Sequence, residues 1–192
     1  MPKVKLVTST AEPMELLKLA AGECYQKEAT DKVIDHIVRA GHLSVLEHCT
    51  ATFEVKCSLL VLLQLERHRF FSFTVQSSRG SVLDSAYQTG EFVIDNAIAD
   101  MLDTYKLVAK DGVYGKDKAA YLMPKAAEYS FVITGNFRTW FEWLPKRMCA
   151  RASQEHRELA FMIKKELMKL CPEVFQYAVT DCTGCNEKNC KF

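Results

Sequence analysis

The densest cluster of polar side chains in the chain is Arg67-His68-Arg69, followed after an interval of seven residues by Ser77, Ser78, Arg79 and Gly80. Two guanidiniums offer forked donor pairs that match carboxylate or phosphate oxygens, and a serine-rich loop adds hydroxyls and backbone N–H groups. Together these residue types suit an anion. Basic residues at a helix C-terminus can do something simpler, complementing the macrodipole and capping carbonyls. The anion site gains weight because Arg67 and Arg69 follow a strongly apolar segment, Leu59 to Leu65, where solvated charge is less expected. Successive helical residues are about 100° apart, so the three side chains share a face only if a helix ends beside them.

The elements that must position this cluster read as an α+β mixture. Residues 12 to 40 have apolar residues at spacings of three and four, which predicts helix up to Gly41. Thr50 to Cys57 alternates, with Ala51, Phe53, Val55 and Cys57 on one face, and predicts a half-buried strand. Leu59 to Leu65 is apolar and reads as a buried strand or a helix, with its Leu-rich composition and Ser58, an N-cap candidate, favouring the helix. Ile94 to Val108 and Lys118 to Ala127 read as helices separated by a turn at Gly112 and Gly115. Phe131 to Gly135 reads as a short buried strand, followed by a helix through about residue 147 and a long one from Ala152 to Leu170. Asn136 and Thr139 are both N-cap candidates, and Thr139 with Glu142 has the spacing of a capping box.

The 192 residues suit one domain, and a chain of that size buries about 70% of its unfolded surface without staples. Lys plus Arg number 25 against 24 for Asp plus Glu, so no strong whole-molecule field favours nucleic acid or an anionic membrane. The first residues lack the apolar run of a secretory signal, and no stretch is long enough to span a bilayer; a cytoplasmic protein is expected. Its eight cysteines are then expected to be mostly reduced. In the tail, residues 181–192, only Cys182 and Cys185 have the two-residue spacing of a zinc-binding pair, with Cys190 beyond and Cys171 upstream, so no metal is expected. His36 and His156, on predicted helices, read as structural.

Arg67-His68-Arg69 with Ser77 after seven residues resembles the signature of the flavin-dependent thymidylate synthases, the ThyX family. The flanks agree in order. Gly41-His42-Leu43-Ser44-Val45-Leu46-Glu47-His48 resembles that family's Gly-His-x-Ser-Pro-x-Glu-His segment, and Gln64 stands three residues before Arg67. Leu122-Met123-Pro124, Asn136-Phe137-Arg138 and the block from Leu144 to Ala152 resemble further family motifs.

The resemblance implies a small, mostly antiparallel sheet packed against several long helices over residues 1–180. It implies FAD as cofactor, NADPH and methylenetetrahydrofolate as co-substrates, and C5 methylation of dUMP in a homotetramer with sites at subunit interfaces. His42, Ser44, Arg67, His68, Arg69, Asn136, Arg138 and Glu142 would hold the flavin; Gln64, Arg67, Gln76, Ser77, Ser78 and Arg79 would hold the pyrimidine nucleotide. Arg147 would be catalytic, facing the pyrimidine and stabilising negative charge at its ring nitrogen. No cysteine nucleophile is needed, so Cys149 reads as a packed residue. The chain departs from the family pattern at Thr74, Val75, Gly80 and Ala120, the last standing where an arginine grips phosphate; Lys116 or Lys118 could compensate. Those departures leave two alternatives, a related flavoenzyme acting on another pyrimidine nucleotide and a non-catalytic flavin- or nucleotide-binding relative.

Overall fold

The computed structural model describes residues 1–183, 185–187 and 190. Among these residues four strands, β1 (Lys3–Ser9), β2 (Thr50–Ser58), β3 (Ser72–Val75) and β4 (Glu128–Asn136), form one antiparallel sheet in the order β1-β2-β4-β3. The expected alternation of β2 holds: Ala51, Phe53 and Cys57 are 0% exposed and Val55 1%. Across the sheet, Ala51 faces Gly135, Phe53 faces Ile133 and Val55 faces Phe131, so one apolar face is shared by the two central strands. The strand expected at Phe131 to Gly135 extends at both ends because β2 pairs with it along its full length. β1 and β3 are edge strands the pattern did not reveal, and neither holds a fully buried residue.

Among the described residues there are eight α-helices: α1 (Pro13–Tyr25), α2 (Asp31–Arg39), α3 (Leu59–Leu65), α4 (Phe92–Asp111), α5 (Gly115–Ala119), α6 (Phe137–Met148), α7 (Gln154–Leu170) and α8 (Pro172–Phe175). The helix expected over 12 to 40 is two helices. Gln26 adopts a left-handed φ of 49° that ends α1, and the chain restarts behind Thr30. The helix expected over Lys118 to Ala127 is also corrected: α5 gives way to a 3-10 turn at Ala120–Leu122, and Pro124, which has no N–H to continue a helix, is followed by a turn into β4. The turn at Gly112 and Gly115 is as expected, both residues taking positive φ.

A single cluster of buried side chains runs from Leu17 to Ala178. Its centre is aromatic. Trp140 and Trp143, successive inward positions of α6, sit 5.6 Å apart, with Phe71 4.3 Å from Trp140 and Phe53 5.1 Å from it. Gly135 is required here: a Cβ would lie 2.5 Å from the Phe71 ring. α6 is thereby fixed against the sheet, with its polar residues facing outward on either side. Among the described residues no helix is long and apolar enough to cross a membrane.

Candidate functional site

The position of the basic cluster is set by α3. Ser58 caps this helix by accepting the Val61 N–H at 3.2 Å, as its sequence position predicts. Glu155, at the start of α7, then grips Ser58 from outside, accepting its backbone N–H at 2.7 Å and its hydroxyl. This carboxylate is 4% exposed, and burial pushes its pKa up. Val61, Leu62 and Leu65 point into the core, so the helix is anchored at both ends. It ends at Leu65, and two turns follow, with the His68 N–H on the Leu65 carbonyl and the Phe71 N–H on the His68 carbonyl. The three basic residues therefore lie on turns, which satisfies the condition for their side chains to act together.

Arg67 and Arg69 are exposed and line a cavity of about 540 Å³ together with Phe70, Asn136, Arg138, Lys146, Glu47 and Glu142. Four cations there face two carboxylates. Arg138 is already paired, at 2.6 Å with Glu47 and at 2.8 Å with Glu142. Asn136 caps α6 through its Oδ1, which accepts the Thr139 N–H and hydroxyl at 2.8 Å. Thr139 is thus already inside the helix, and Glu142 serves Arg138 rather than closing a capping box at Thr139.

His68 lines the same cavity and also reaches inward to Arg147. Its Nε2 accepts from Arg147 Nε at 3.1 Å and from a terminal guanidinium nitrogen at 2.7 Å. An arginine can only donate, so His68 is neutral with its proton on Nδ1. Burial, reinforced by the charges of Arg147 and Lys146, pushes its pKa down to about 4. Burial also lowers the Arg147 pKa. A neutral acceptor fixes the guanidinium without cancelling its charge.

Arg147 reaches a second cavity, of about 550 Å³, lined by Gln64, Arg151, Ala152, Ser153, Gln154 and Arg157. Gln64 needed a partner on its apolar helix, and it has one: His156 Nδ1 lies 3.3 Å from Gln64 Oε1. His156 is 0% exposed, and burial, reinforced by the Arg147 charge, pushes its pKa down to about 3. Its neutral ring donates from Nδ1 to Oε1, which leaves both amide N–H groups of Gln64 for other partners. His156 was read from the sequence as a structural residue. Its position on α7, far from Gln64 in the chain, gave no sign of this contact.

The remaining expected residues lie elsewhere in the chain. Gln76 is engaged internally, donating to Ser81 Oγ at 2.8 Å and accepting the Ser130 N–H at 3.2 Å. Ser77 Oγ accepts the Arg79 N–H, and Arg79 pairs with Asp117 at 3.4 Å. Lys116 donates to the Gly80 carbonyl at 3.3 Å, which brings one of the two candidate compensating lysines to this loop. Neither cavity is lined by Ser77, Ser78 or Arg79, nor by His42 and Ser44, which are exposed at the start of and within the 3-10 turn Leu43–His48.

With this arrangement in view, comparison with known proteins is decisive. The family model described as thymidylate synthase complementing protein matches residues 5–173. The chain belongs to this family. Among relatives of the thymidylate synthase complementing protein family, the flavin-dependent thymidylate synthase of Pyrococcus abyssi is 33% identical over 196 residues, covering 88% of this chain and 80% of the relative. The enzyme of that name from Geobacter sulfurreducens is 31% identical, covering 94% and 88%. The family fold is shared with the crystal structure of Thymidylate Synthase X (ThyX) from Helicobacter pylori with FAD and dUMP, at a TM-score of 0.84 and 21% identity, covering 94% of this chain and all of that one. The α+β architecture and the family expected from the sequence motifs both hold.

Proposed function

We propose that this protein is a flavin-dependent thymidylate synthase, which methylates dUMP at C5 to give dTMP with methylenetetrahydrofolate as carbon donor and NADPH as reductant. The observation that carries the proposal is the Arg147 guanidinium, held by neutral His68 at the junction of two cavities in a chain of this family. A partly desolvated, positioned cation strongly favours negative charge developing beside it. Facing a pyrimidine ring nitrogen, Arg147 would stabilise the charge that lets C5 attack a one-carbon donor. Gln64, oriented by His156, would present N–H donors to a pyrimidine carbonyl.

The residues around the first cavity fit FAD. Arg67, Arg69, Arg138 and Lys146 outnumber Glu47 and Glu142, an excess that suits a phosphate-bearing cofactor, and exposed Phe70 with the edge of Trp143 offers an apolar wall. Bound there and reduced by NADPH, the flavin would supply the hydride that completes the methyl group. Arg67, Arg69, Asn136 and Arg138 would hold it.

The split of the expected site supports a homotetramer with shared sites. His42, Ser44, Gln76, Ser77, Ser78 and Arg79 would serve a site completed by another copy, with Lys116 supplying a cation to the nucleotide phosphate where Ala120 offers none. Exposed apolar residues of α4, with Phe92 and Val93 at 79% and 78%, suit such contacts. A cytoplasmic location accords with eight unpaired cysteines.

The test is to purify the protein, measure flavin absorbance, and mix the reduced protein with dUMP and methylenetetrahydrofolate without oxygen. Flavin reoxidation with dTMP formation is expected. A protein that takes up no FAD overturns the flavin assignment, and a flavin-loaded protein that makes no dTMP overturns the substrate.

A further inference from the structure

The cysteines of the tail have no part in this chemistry, yet the fold gives three of them a fourth partner that the sequence did not suggest. Cys171 is excluded, because it lies in the core with its thiol 3.5 Å from Met14 Sδ. Cys149, half-exposed at the end of α6, is bracketed by two anchors. Thr180 Oγ1 donates to the Pro145 carbonyl at 2.9 Å, one helical turn before Cys149, and Glu187 pairs at 2.7 Å with Arg151 just after it. Cys182 and Cys185 lie between these anchors in the chain.

Local geometry shapes the backbone around the tail thiols. The Cys185 N–H reaches the Cys182 carbonyl at 3.3 Å, closing a turn around the Cys-x-x-Cys pair. The Glu187 N–H donates to Cys185 Sγ at 3.4 Å, and the Cys190 thiol points to the Glu187 carbonyl at 3.7 Å. Cys190 also lies in the electrostatic field of Cys149, Cys182 and Cys185. Among the described residues no three His, Cys, Asp or Glu side chains are already arranged to hold an ion, so a site here would form only as the metal binds.

We propose that Cys149, Cys182, Cys185 and Cys190 close on one Zn²⁺ as a structural site that clamps the tail over the turn between α6 and α7. Four sulfur ligands select zinc over hard cations, and a complete protein ligand set marks a structural rather than a catalytic site. Each thiol loses its proton on binding, giving a tetrathiolate of net charge −2, and the backbone N–H on Cys185 Sγ and the nearby Arg151 guanidinium offset that charge. The site pairs one close Cys-x-x-Cys with two thiols distant in sequence. Counting close pairs alone therefore led to the expectation of no metal. Closure would also hold Glu187 against Arg151, which lines the cavity shared by Gln64 and Arg147.

The proposal is independent of the assigned activity, and metal content tests it. Full-length protein from zinc-supplemented medium is expected to carry one zinc per chain. Stripped of metal and reduced, it is expected to take up Co²⁺ with an intense thiolate-to-cobalt absorption. Cys149→Ser and Cys182→Ser should each lose the zinc with circular dichroism unchanged, and Cys24→Ser should keep it. Wild-type protein with neither stoichiometric zinc nor the cobalt band overturns the site. Cys149→Ser that retains zinc overturns the fourth ligand, and iron with inorganic sulfide in place of zinc overturns the metal.

Discussion

His156 links the interior of the protein to its candidate substrate cavity, and acid exposes that link. The ring is 0% exposed, and its pKa falls from 6.5 to about 3 with burial as the main cause. In the unfolded chain the same imidazole takes up a proton near its ordinary value. As pH drops below about 6.5 the unfolded state binds protons that the folded state refuses, so stability is complete above that pH and lost progressively toward pH 3. Between about pH 7 and about pH 5 this one group removes about 2 kcal/mol, from 1.36 kcal/mol per pH unit. His156→Gln removes the titration while keeping a donor for Gln64 Oε1. Urea titrations of both proteins at the two pH values, at one protein concentration, isolate the effect. Glu155 and His68 also have shifted pKa values, but they are common to both proteins and largely cancel in the difference. The variant is expected to lose about 2 kcal/mol less than wild type on acidification. Parallel losses would refute a buried neutral imidazole.

Three other substitutions test the architecture around this residue. Arg147→Ala should lower single-turnover dTMP formation by about 100-fold or more while flavin stays bound, since one preorganised donor is worth that much; unchanged turnover removes Arg147 from the chemistry. Gly135→Ala should cost about 1 to 3 kcal/mol, read as a lowered melting temperature, because the new methyl would sit 2.5 Å from the Phe71 ring. Ser58→Ala deletes the α3 cap and leaves one Glu155 oxygen without its hydroxyl donor, and a loss of about 1 to 3 kcal/mol in denaturant unfolding is expected. No loss would show that α3 is held by packing alone.

What could be read from the sequence divides along physical lines. β2 and α3 were visible because each couples a clear period to strong burial, and Ser58 stands where a cap must stand. β1 and β3 were not, because edge strands with one neighbour bury too little to force an apolar alternation. The split of residues 12 to 40 depends on one left-handed residue, Gln26, a conformation that glutamine seldom advertises. At the site, types and spacing singled out Arg67, His68 and Arg69, and the family resemblance added Arg147. They could not show that His68 turns inward to accept from Arg147 across 79 positions of chain, or that Arg138 spans 91 to reach Glu47. Such contacts are properties of the fold. Gln64 lies between the two cases: its burial implied a partner, but only the packing of α7 against α3 named His156.

The aromatic centre of α6 has an optical consequence. The chain has two tryptophans, and both are in this helix, 0% and 1% exposed and 5.6 Å apart. Intrinsic emission excited at the red edge of protein absorbance therefore reports on one helix and no other part of the molecule. Trp143 also borders the cavity lined by Arg67 and Arg69, and His156 lies 5.9 Å from its ring. A chromophore entering that cavity would quench the pair, and protonation of His156 would change its colour and intensity. The helix that separates the two cavities thus carries its own fluorescent gauge, which needs no label.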